Sequence, residues 1–187
     1  MKKSTMILLS VVAVVVIIIS MLGGSYNSLV TKSEQVDKEL ANIDVQLERR
    51  ADLIPNLVST VKGYTSHETE IIDKITSARE NLLKADSVSK KSTANDELTS
   101  ALNALMVVVE NYPDLKSNQN FIQLSDELAG TENRIATARR DYNDSVTSYN
   151  TSIKKFPTNI LAGMFGFEKK DYFEVSKGKT SVPKVEF

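Results

Sequence analysis

Most of the residues that could do chemistry stand in one short stretch of the sequence. Arg49, Arg50 and Asp52 lie within four positions of one another, and His67 is the only histidine of the chain and precedes Glu68. Charged side chains at such spacing fit an active site, a surface for a partner protein, or a packing feature of helices. The alternatives differ in what must surround these side chains.

A metal site is the first alternative. His67 and Glu70 are three positions apart and would share one face of a helix, but a closed site needs more ligands, and the chain has no second histidine and no cysteine. No phosphate-binding glycine loop, nucleophile elbow or cofactor fingerprint occurs either. We therefore predict no catalytic residues, no metal and no cofactor, and assign His67 to the cap of a helix.

Arg50 falls on an apolar row that repeats every seven residues, where a charge is costly unless it is paired. Asp52, Glu48 or an acid on another helix could satisfy it. One interpretation is an interhelical salt bridge that fixes register, and the other is a docking surface for another protein. The candidate residues for either role are Arg49, Arg50, Asp52, Pro55, Asn56, His67 and Glu68.

Pro55 stands inside the same apolar pattern without shifting its phase, which predicts a proline within a helix rather than at its end. A proline has no backbone N–H, so the hydrogen bond that the carbonyl of Ala51 would accept is missing.

The composition favours helices. The chain has 187 residues, 23 basic and 24 acidic, with only 7 glycines and 4 prolines. The balanced charge gives no indication of nucleic-acid binding. The absence of cysteine excludes disulfides and thiolate metal sites.

An uncharged apolar run, Met6–Leu22, follows Lys2 and Lys3. Extended to Ser25, a helix of this length covers about 30 Å, enough to cross a bilayer. A cleaved signal peptide is the alternative, although the run exceeds the usual core of one. We expect an uncleaved single-pass anchor in the cell membrane. The flanking lysines predict a cytoplasmic N-terminus and a bundle outside.

Beyond the anchor, apolar residues recur at steps of three and four, typical of helices that pack along neighbours as in bundles and coiled coils. The pattern predicts an all-α fold in which the transmembrane helix precedes an antiparallel up-down four-helix bundle with long first and last helices. The expected helices are 26–62, a second that Ser66 caps and that ends near 85, 95–111 after a polar loop, and 117–155. Their expected inward rows are Tyr26, Ser33, Leu40, Leu47, Ile54 and Val61 with Leu29, Val36, Ile43, Arg50, Leu57 and Tyr64 in the first helix; Ile71, Ile75, Ala78 and Leu82 in the second; Leu98, Leu102, Leu105 and Val109 in the third; and Phe121, Leu128, Ile135, Tyr142, Tyr149 and Phe156 in the fourth. A single helix through Gly63 into the second is the open alternative.

Three parts result: an anchor (1–25), the bundle (26–156) and a tail (157–187) that is first apolar and then polar. In an up-down order the last helix ends near the membrane, so the tail should lie close to Tyr26. We expect packing on the bundle base or partial insertion in the interface, with Lys169 and Lys170 reaching headgroups. The candidate membrane-proximal residues are Phe156, Pro157, Ile160, Leu161, Met164, Phe165 and Phe167.

Four segments resemble the LemA family: "YNSLV", "QLERRADLIPNLVSTVKGYTSHE", "TENRIATARRDYNDSVTSYN" and "FPTNILAGMFGF". The resemblance implies an anchored helical bundle of bacterial membranes and brings no catalytic residues or established activity. One relative acts in magnetosome membranes, which suggests a scaffolding role by analogy. Unlike lipidated members, this chain has no cysteine after its apolar segment.

Two hypotheses for function follow. The first is a non-enzymatic scaffold or protein-binding module of the cell envelope, with the lipid bilayer and other envelope proteins as partners and self-association as a further expectation. The second is a lipid-active or metal-dependent enzyme that uses Arg49, Arg50 and His67. A deep cleft around these residues would favour the second, and a filled core the first.

Overall fold

The computed structural model of the chain describes residues 3–65 and 68–174. Within these ranges all regular secondary structure is helical, which confirms the all-α fold class. The six helices of this part are α1 (Lys3–Lys62), α2 (Thr69–Lys84), α3 (Val88–Val109), α4 (Pro113–Lys116), α5 (Gln119–Lys154) and α6 (Thr158–Phe165).

Helix α1 joins the apolar N-terminal segment to the first helix of the predicted bundle without a break at residue 25. Among the described residues, α1 alone contains a stretch long and apolar enough to cross a membrane, with a mean hydropathy of 2.6 over its best window and none of that window buried. The side chains described from Leu8 to Leu22 are all exposed, because no other described residue covers them.

Helix α1 ends at Lys62, where the backbone turns through Gly63 and Tyr64 and their N–H groups donate to the last carbonyls of the helix. The two first helices are therefore separate, and the alternative of one uninterrupted helix is wrong. Glu68 occupies the N-cap position of α2 without a side-chain cap hydrogen bond. The predicted cap at Ser66 lies outside the described residues.

Helix α3 begins at Val88, seven residues before its predicted start, so most of the expected polar loop is helical. The side chain of Ser87 accepts a hydrogen bond from the N–H of Lys90 and caps the helix. The apolar pattern fails here because Ser92 and Asn95 take buried positions that apolar residues usually hold. Pro113 opens the short α4 as its first residue, where a missing N–H costs little.

Helix α6 was not predicted as a separate element. It ends at Gly166, whose φ of 73° is the left-handed conformation that glycine adopts without strain. The Phe167 N–H then donates to the carbonyl of Ala162.

Packing divides the chain into two compact units. Unit 1 comprises Met1–Glu39 and Asp144–Lys170, and unit 2 comprises Leu40–Asn143 and Asp171–Phe187. The predicted boundaries at residues 25 and 156 stay a prediction, because packing contacts do not report which residues lie in a membrane. The buried apolar residues of unit 1 are Leu29, Val36, Val146, Tyr149, Leu161 and Ala162.

The core of unit 2 follows the predicted rows closely. The inward residues expected for α3, namely Leu98, Leu102, Leu105 and Val109, are all buried. Of the eight residues that the two rows of the first helix place in unit 2, Ile43, Leu47, Arg50, Ile54, Leu57 and Val61 are buried, whereas Leu40 is half-buried and Tyr64 is 44% exposed. In α2 the buried row is Ile72, Ile75, Ala78 and Leu82, so Ile72 replaces the predicted Ile71. In unit 1, Phe156 breaks the predicted row of the last helix, because α5 ends before it and its side chain is 81% exposed.

Candidate functional site

Arg50 is the one charged residue that the sequence pattern places in the core, and it is buried at 3% exposure. Its Nη1 lies 2.5 Å from Oε2 of Glu132 on α5 and donates to Oδ1 of Asn95 at 2.6 Å and to the hydroxyl of Thr99 at 3.0 Å, both on α3. Of the three alternatives for a partner of Arg50, namely Asp52, Glu48 or an acid on another helix, the structure shows the third, and the acid is Glu132.

Burial lowers the pKa of Arg50, while the nearby carboxylates of Glu132 and Asp96 act against that shift. Because a guanidinium stays protonated under ordinary conditions, the cluster holds a charged group inside the fold. Sequence reasoning missed Asn95. The sequence could have indicated that Asn95 is buried, because it stands three residues before Leu98 on the buried row of α3.

Arg49 points away from Arg50, as neighbouring positions on a helix must. Its Nη2 lies 3.7 Å from Oε2 of Glu127, and the two side chains are 55% and 40% exposed. Asp52 and Asn56 are also exposed, and their spacing from Arg49 places the three on one outward face of α1. We call Arg49, Asp52 and Asn56 the outward face.

Pro55 leaves the carbonyl of Ala51 without its usual backbone donor, and α2 supplies another. Nε of Arg79 donates to the Ala51 oxygen at 2.8 Å. Ala51 is fully buried, where an unsatisfied carbonyl would be costly. Sequence reasoning identified the missing bond but not Arg79, because spacing along α2 does not show which side chain faces Ala51.

A cavity of about 340 Å³ borders Arg50 in unit 2. Its apolar walls come from Leu57, Leu102, Leu105, Met106 and Leu128, and its polar walls from Arg50, Thr99, Asn103, Ser125, Glu132 and Asn133. The two charged groups bind each other, so the remaining polar groups are neutral hydroxyls and amides. Arg49 does not line it. The cavity can accept hydrogen-bonded water or a small neutral molecule.

The turn between α1 and α2 carries two further contacts. The hydroxyl of Tyr112 donates to Oε1 of Glu68 at 2.9 Å, and this hydrogen bond raises the pKa of Tyr112. Nδ2 of Asn118 donates to the hydroxyl of Tyr64 at 2.8 Å. His67 lies outside the described residues. Among residues 3–65 and 68–174, no group of three or more histidine or acidic side chains is placed to hold a metal ion.

The tail comes close to Tyr26, as predicted. The ring of Tyr26 packs edge-on against Phe165, with centroids 4.8 Å apart, and against Phe167 at 5.8 Å. Leu161, on the inward face of α6, is buried. The remaining candidate tail residues Phe156, Pro157, Ile160 and Met164 are exposed.

After α6 the chain runs extended, and Asn150 of α5 binds its backbone within unit 1. The Asn150 amide accepts from the N–H of Lys170 at 2.9 Å and donates to its carbonyl at 2.8 Å. The ammonium of Lys170 lies 2.5 Å from Oδ1 of Asp37. The ammonium of Lys170 is thus paired with Asp37, and its contact with headgroups stays a prediction.

Within unit 2, Asn143 binds the backbone of Phe173 in the same way, accepting from its N–H at 2.9 Å and donating to its carbonyl at 3.1 Å. The hydroxyl of Tyr142 donates to the carbonyl of Asp171 at 2.8 Å, and that of Ser92 donates to the carbonyl of Glu174. Phe173 is buried at 2% exposure.

Sequence reasoning missed both asparagines. The available signal was a repeated Tyr-Asn pair, at 142–143 and again at 149–150, which places each pair on the same face of α5. The seven residues from Asn143 to Asn150 rise about 10.5 Å along a helix, and the three residues from Lys170 to Phe173 span about 10 Å when extended. The spacing of the two asparagines therefore matches the spacing of the two backbone positions that they bind.

Comparison with known proteins gives a consistent family relationship. A model of the LemA family matches residues 39–187. Magnetosome protein MamQ 2 of Paramagnetospirillum magneticum is 33% identical, over 90% of this chain and 71% of the relative. Magnetosome protein MamQ of Magnetospirillum gryphiswaldense is 31% identical, over 95% and 75%. Protein LemA of Metamycoplasma hominis is 30% identical, over 82% and 68%.

Proposed function

The chain belongs to the LemA family, and on this premise we propose that it is a non-enzymatic, single-pass membrane protein that acts as a scaffold or protein-binding module of the bacterial cell envelope. Two of the similar proteins named above are magnetosome proteins, which supports a role at a membrane. The proposal has three parts: the anchor, its orientation and the scaffold role.

The exposed apolar segment of α1 supports the proposed membrane anchor. None of its most apolar window is buried, and it continues as one helix into the packed part of the chain. An apolar helix without a covering partner is stable in lipid, where its backbone groups bond internally. Lys2 and Lys3 before the segment support a cytoplasmic N-terminus with the remaining helices outside.

The proposed scaffold is an antiparallel up-down bundle. The turn at Gly63 and the brief connections after α2 and α3 support this order, since short links favour antiparallel neighbours. In the proposal, Arg50 fixes the register of the helices. Its partners lie on two other helices, so a shift of α1 by one residue would leave the charge unpaired.

The outward face of α1, with Arg49, Asp52 and Asn56, is the proposed docking surface. Its polar side chains are exposed and the core does not depend on them. Mixed charge on an exposed face suits the polar rim contacts of a transient interface.

The anchor and its orientation are tested together in cells. We expect intact protein that begins at or near Met1, and digestion of the bundle by protease added outside spheroplasts. A mature N-terminus at Tyr26 would show a cleaved signal peptide. Protection from the protease would reverse the orientation.

The scaffold role is tested by crosslinking in cells followed by mass spectrometry. Reversing charge with Arg49→Glu and Asp52→Lys should remove crosslinks to envelope proteins while thermal unfolding stays unchanged. Lys84→Glu, at an exposed site on α2, is the control and should retain the crosslinks. Crosslinks that survive the reversal would place the docking surface elsewhere.

A further inference from the structure

Helix α6 is apolar on both of its faces. Leu161 and Ala162 face the protein and are buried, while Ile160 and Met164, four positions apart on the opposite face, are 53% and 73% exposed. Phe156, just before the helix, is 81% exposed. Surface helices normally turn a polar face to water, and a helix apolar all round needs a second apolar medium.

The position of α6 along the chain identifies that medium. Tyr26, against which Phe165 packs at 4.8 Å, follows Leu22 by four residues, a rise of about 6 Å along α1. If Met6–Ser25 crosses the bilayer, Tyr26 lies at the level of the headgroups, where aromatic belts form. The ring contact then holds α6 at the same level.

The charges around α6 fit an anionic surface. Lys154 and Lys155 at the end of α5 and Lys169 after α6 are exposed cations, against one exposed acid, Glu168, and α6 itself has no charged residue. Apolar side chains flanked by lysines are typical of segments that lie in a membrane interface, with the lysine heads at the phosphates.

We propose that α6 is a second membrane contact, which lies in the interface of the bilayer with Phe156, Ile160 and Met164 inserted among the lipids and the three lysines at anionic headgroups. The inference rests on the proposed anchor, because the anchor sets the depth of Tyr26. Two attachments, α1 and α6, then hold the base of unit 1 against the membrane.

The experiment uses the full chain, which has no tryptophan, reconstituted in vesicles of phosphatidylglycerol and phosphatidylethanolamine. Met164→Trp provides a single fluorophore on the outer face of α6. Lipids brominated near the carbonyl end of the acyl chain should quench its emission about twofold more than lipids brominated near the methyl end, as a depth of roughly 5–10 Å requires. Phosphatidylcholine vesicles should give weaker quenching.

Two control variants separate the possible failures. Ile17→Trp lies in the apolar segment and should be quenched most by the deep bromines, and Val107→Trp on α3 should not be quenched. Quenching absent at Ile17 would overturn the anchor and with it this inference. Quenching at Ile17 but not at Met164 would overturn the second contact alone.

A second copy of the chain is the competing occupant of this face. The chain has no cysteine, so Met164→Cys is a single reactive site. Disulfide-linked dimers that form rapidly in the vesicles, together with blue-shifted Met164→Trp emission that bromine does not quench, would assign the face to self-association and overturn the proposal.

Discussion

Arg50 and α6 depart in opposite ways from the rule that apolar side chains are buried and charged ones exposed. At Arg50 a charge is buried at 3% exposure, and at α6 the apolar side chains of Met164 and Phe156 are 73% and 81% exposed. The buried charge finds a carboxylate, an amide and a hydroxyl within the chain. No other residue in the described part of the chain buries the exposed apolar side chains of α6.

The difference separates a structural feature from a functional one. A buried polar group that the fold satisfies contributes to specificity and needs no outside partner. An exposed apolar face that residues 3–65 and 68–174 leave uncovered is stabilised by something outside this part of the chain. Substitutions should therefore damage folding at the first site and membrane contact at the second.

The largest effect is expected at Arg50. Arg50→Ala leaves Glu132, Asn95 and Thr99 without their shared donor, and loss of one partner from a buried ion pair costs about 3–5 kcal/mol. Because the Glu132 side chain is 40% exposed, we expect the low end, about 3 kcal/mol, in denaturant unfolding of the purified protein.

Arg49→Ala is the matched control for that measurement. Its ion pair with Glu127 is exposed, so its loss should change the free energy of unfolding by less than about 0.5 kcal/mol. Equal effects of the two substitutions would remove the distinction between the buried and the surface arginine.

The next effect concerns the carbonyl of Ala51. Arg79→Ala removes its donor, and loss of a charged hydrogen bond in the core should cost about 1.5–3 kcal/mol. In a Pro55→Ala background the restored backbone N–H satisfies the same oxygen, so the cost should fall by about 1 kcal/mol or more. Unfolding of both single variants and the double variant measures this coupling; additive effects would show that Arg79 does not replace the missing backbone bond.

A smaller loss is expected at the tail. Asn143→Asp keeps an acceptor for the N–H of Phe173 but places a carboxylate against its carbonyl, at a cost of about 1–2 kcal/mol. Hydrogen exchange should accelerate in residues 171–174. Asn133→Asp, on the exposed side of the same helix, is the control and should leave that exchange rate unchanged.

The smallest effect is expected on the outer face of α6. Met164→Ala should shift the free energy of unfolding in detergent by less than about 0.5 kcal/mol, since its side chain is exposed. Leu161→Ala, on the buried face of the same helix, should cost about 2 kcal/mol or more. A large loss from Met164→Ala would show that this face packs within the protein after all.

Much of the helical framework could be predicted, because apolar periodicity is a local property of the sequence. The row of α3 and most of the rows of α1 are buried as expected, and Gly63 ends the first helix as its position after Lys62 indicates. Periodicity failed at the start of α3 and in part at the row of α2. In α3 the polar Ser92 and Asn95 are buried because partners elsewhere in the chain satisfy them, and such partners leave no mark on the local pattern.

The same distinction between local pattern and tertiary packing applies to the candidate site. The sequence by itself determined that Arg50 lies on the core row, that Pro55 deprives Ala51 of a donor, and that the tail is too apolar to remain in water. Each conclusion depends only on residue type and spacing along one helix. Which groups answer these needs was decided by the tertiary structure: Glu132 and Asn95 for Arg50, Arg79 for Ala51, and Asn143 and Asn150 for the tail. Those partners are 20 or more residues away along the chain, and only packing of the helices brings them within hydrogen-bond distance.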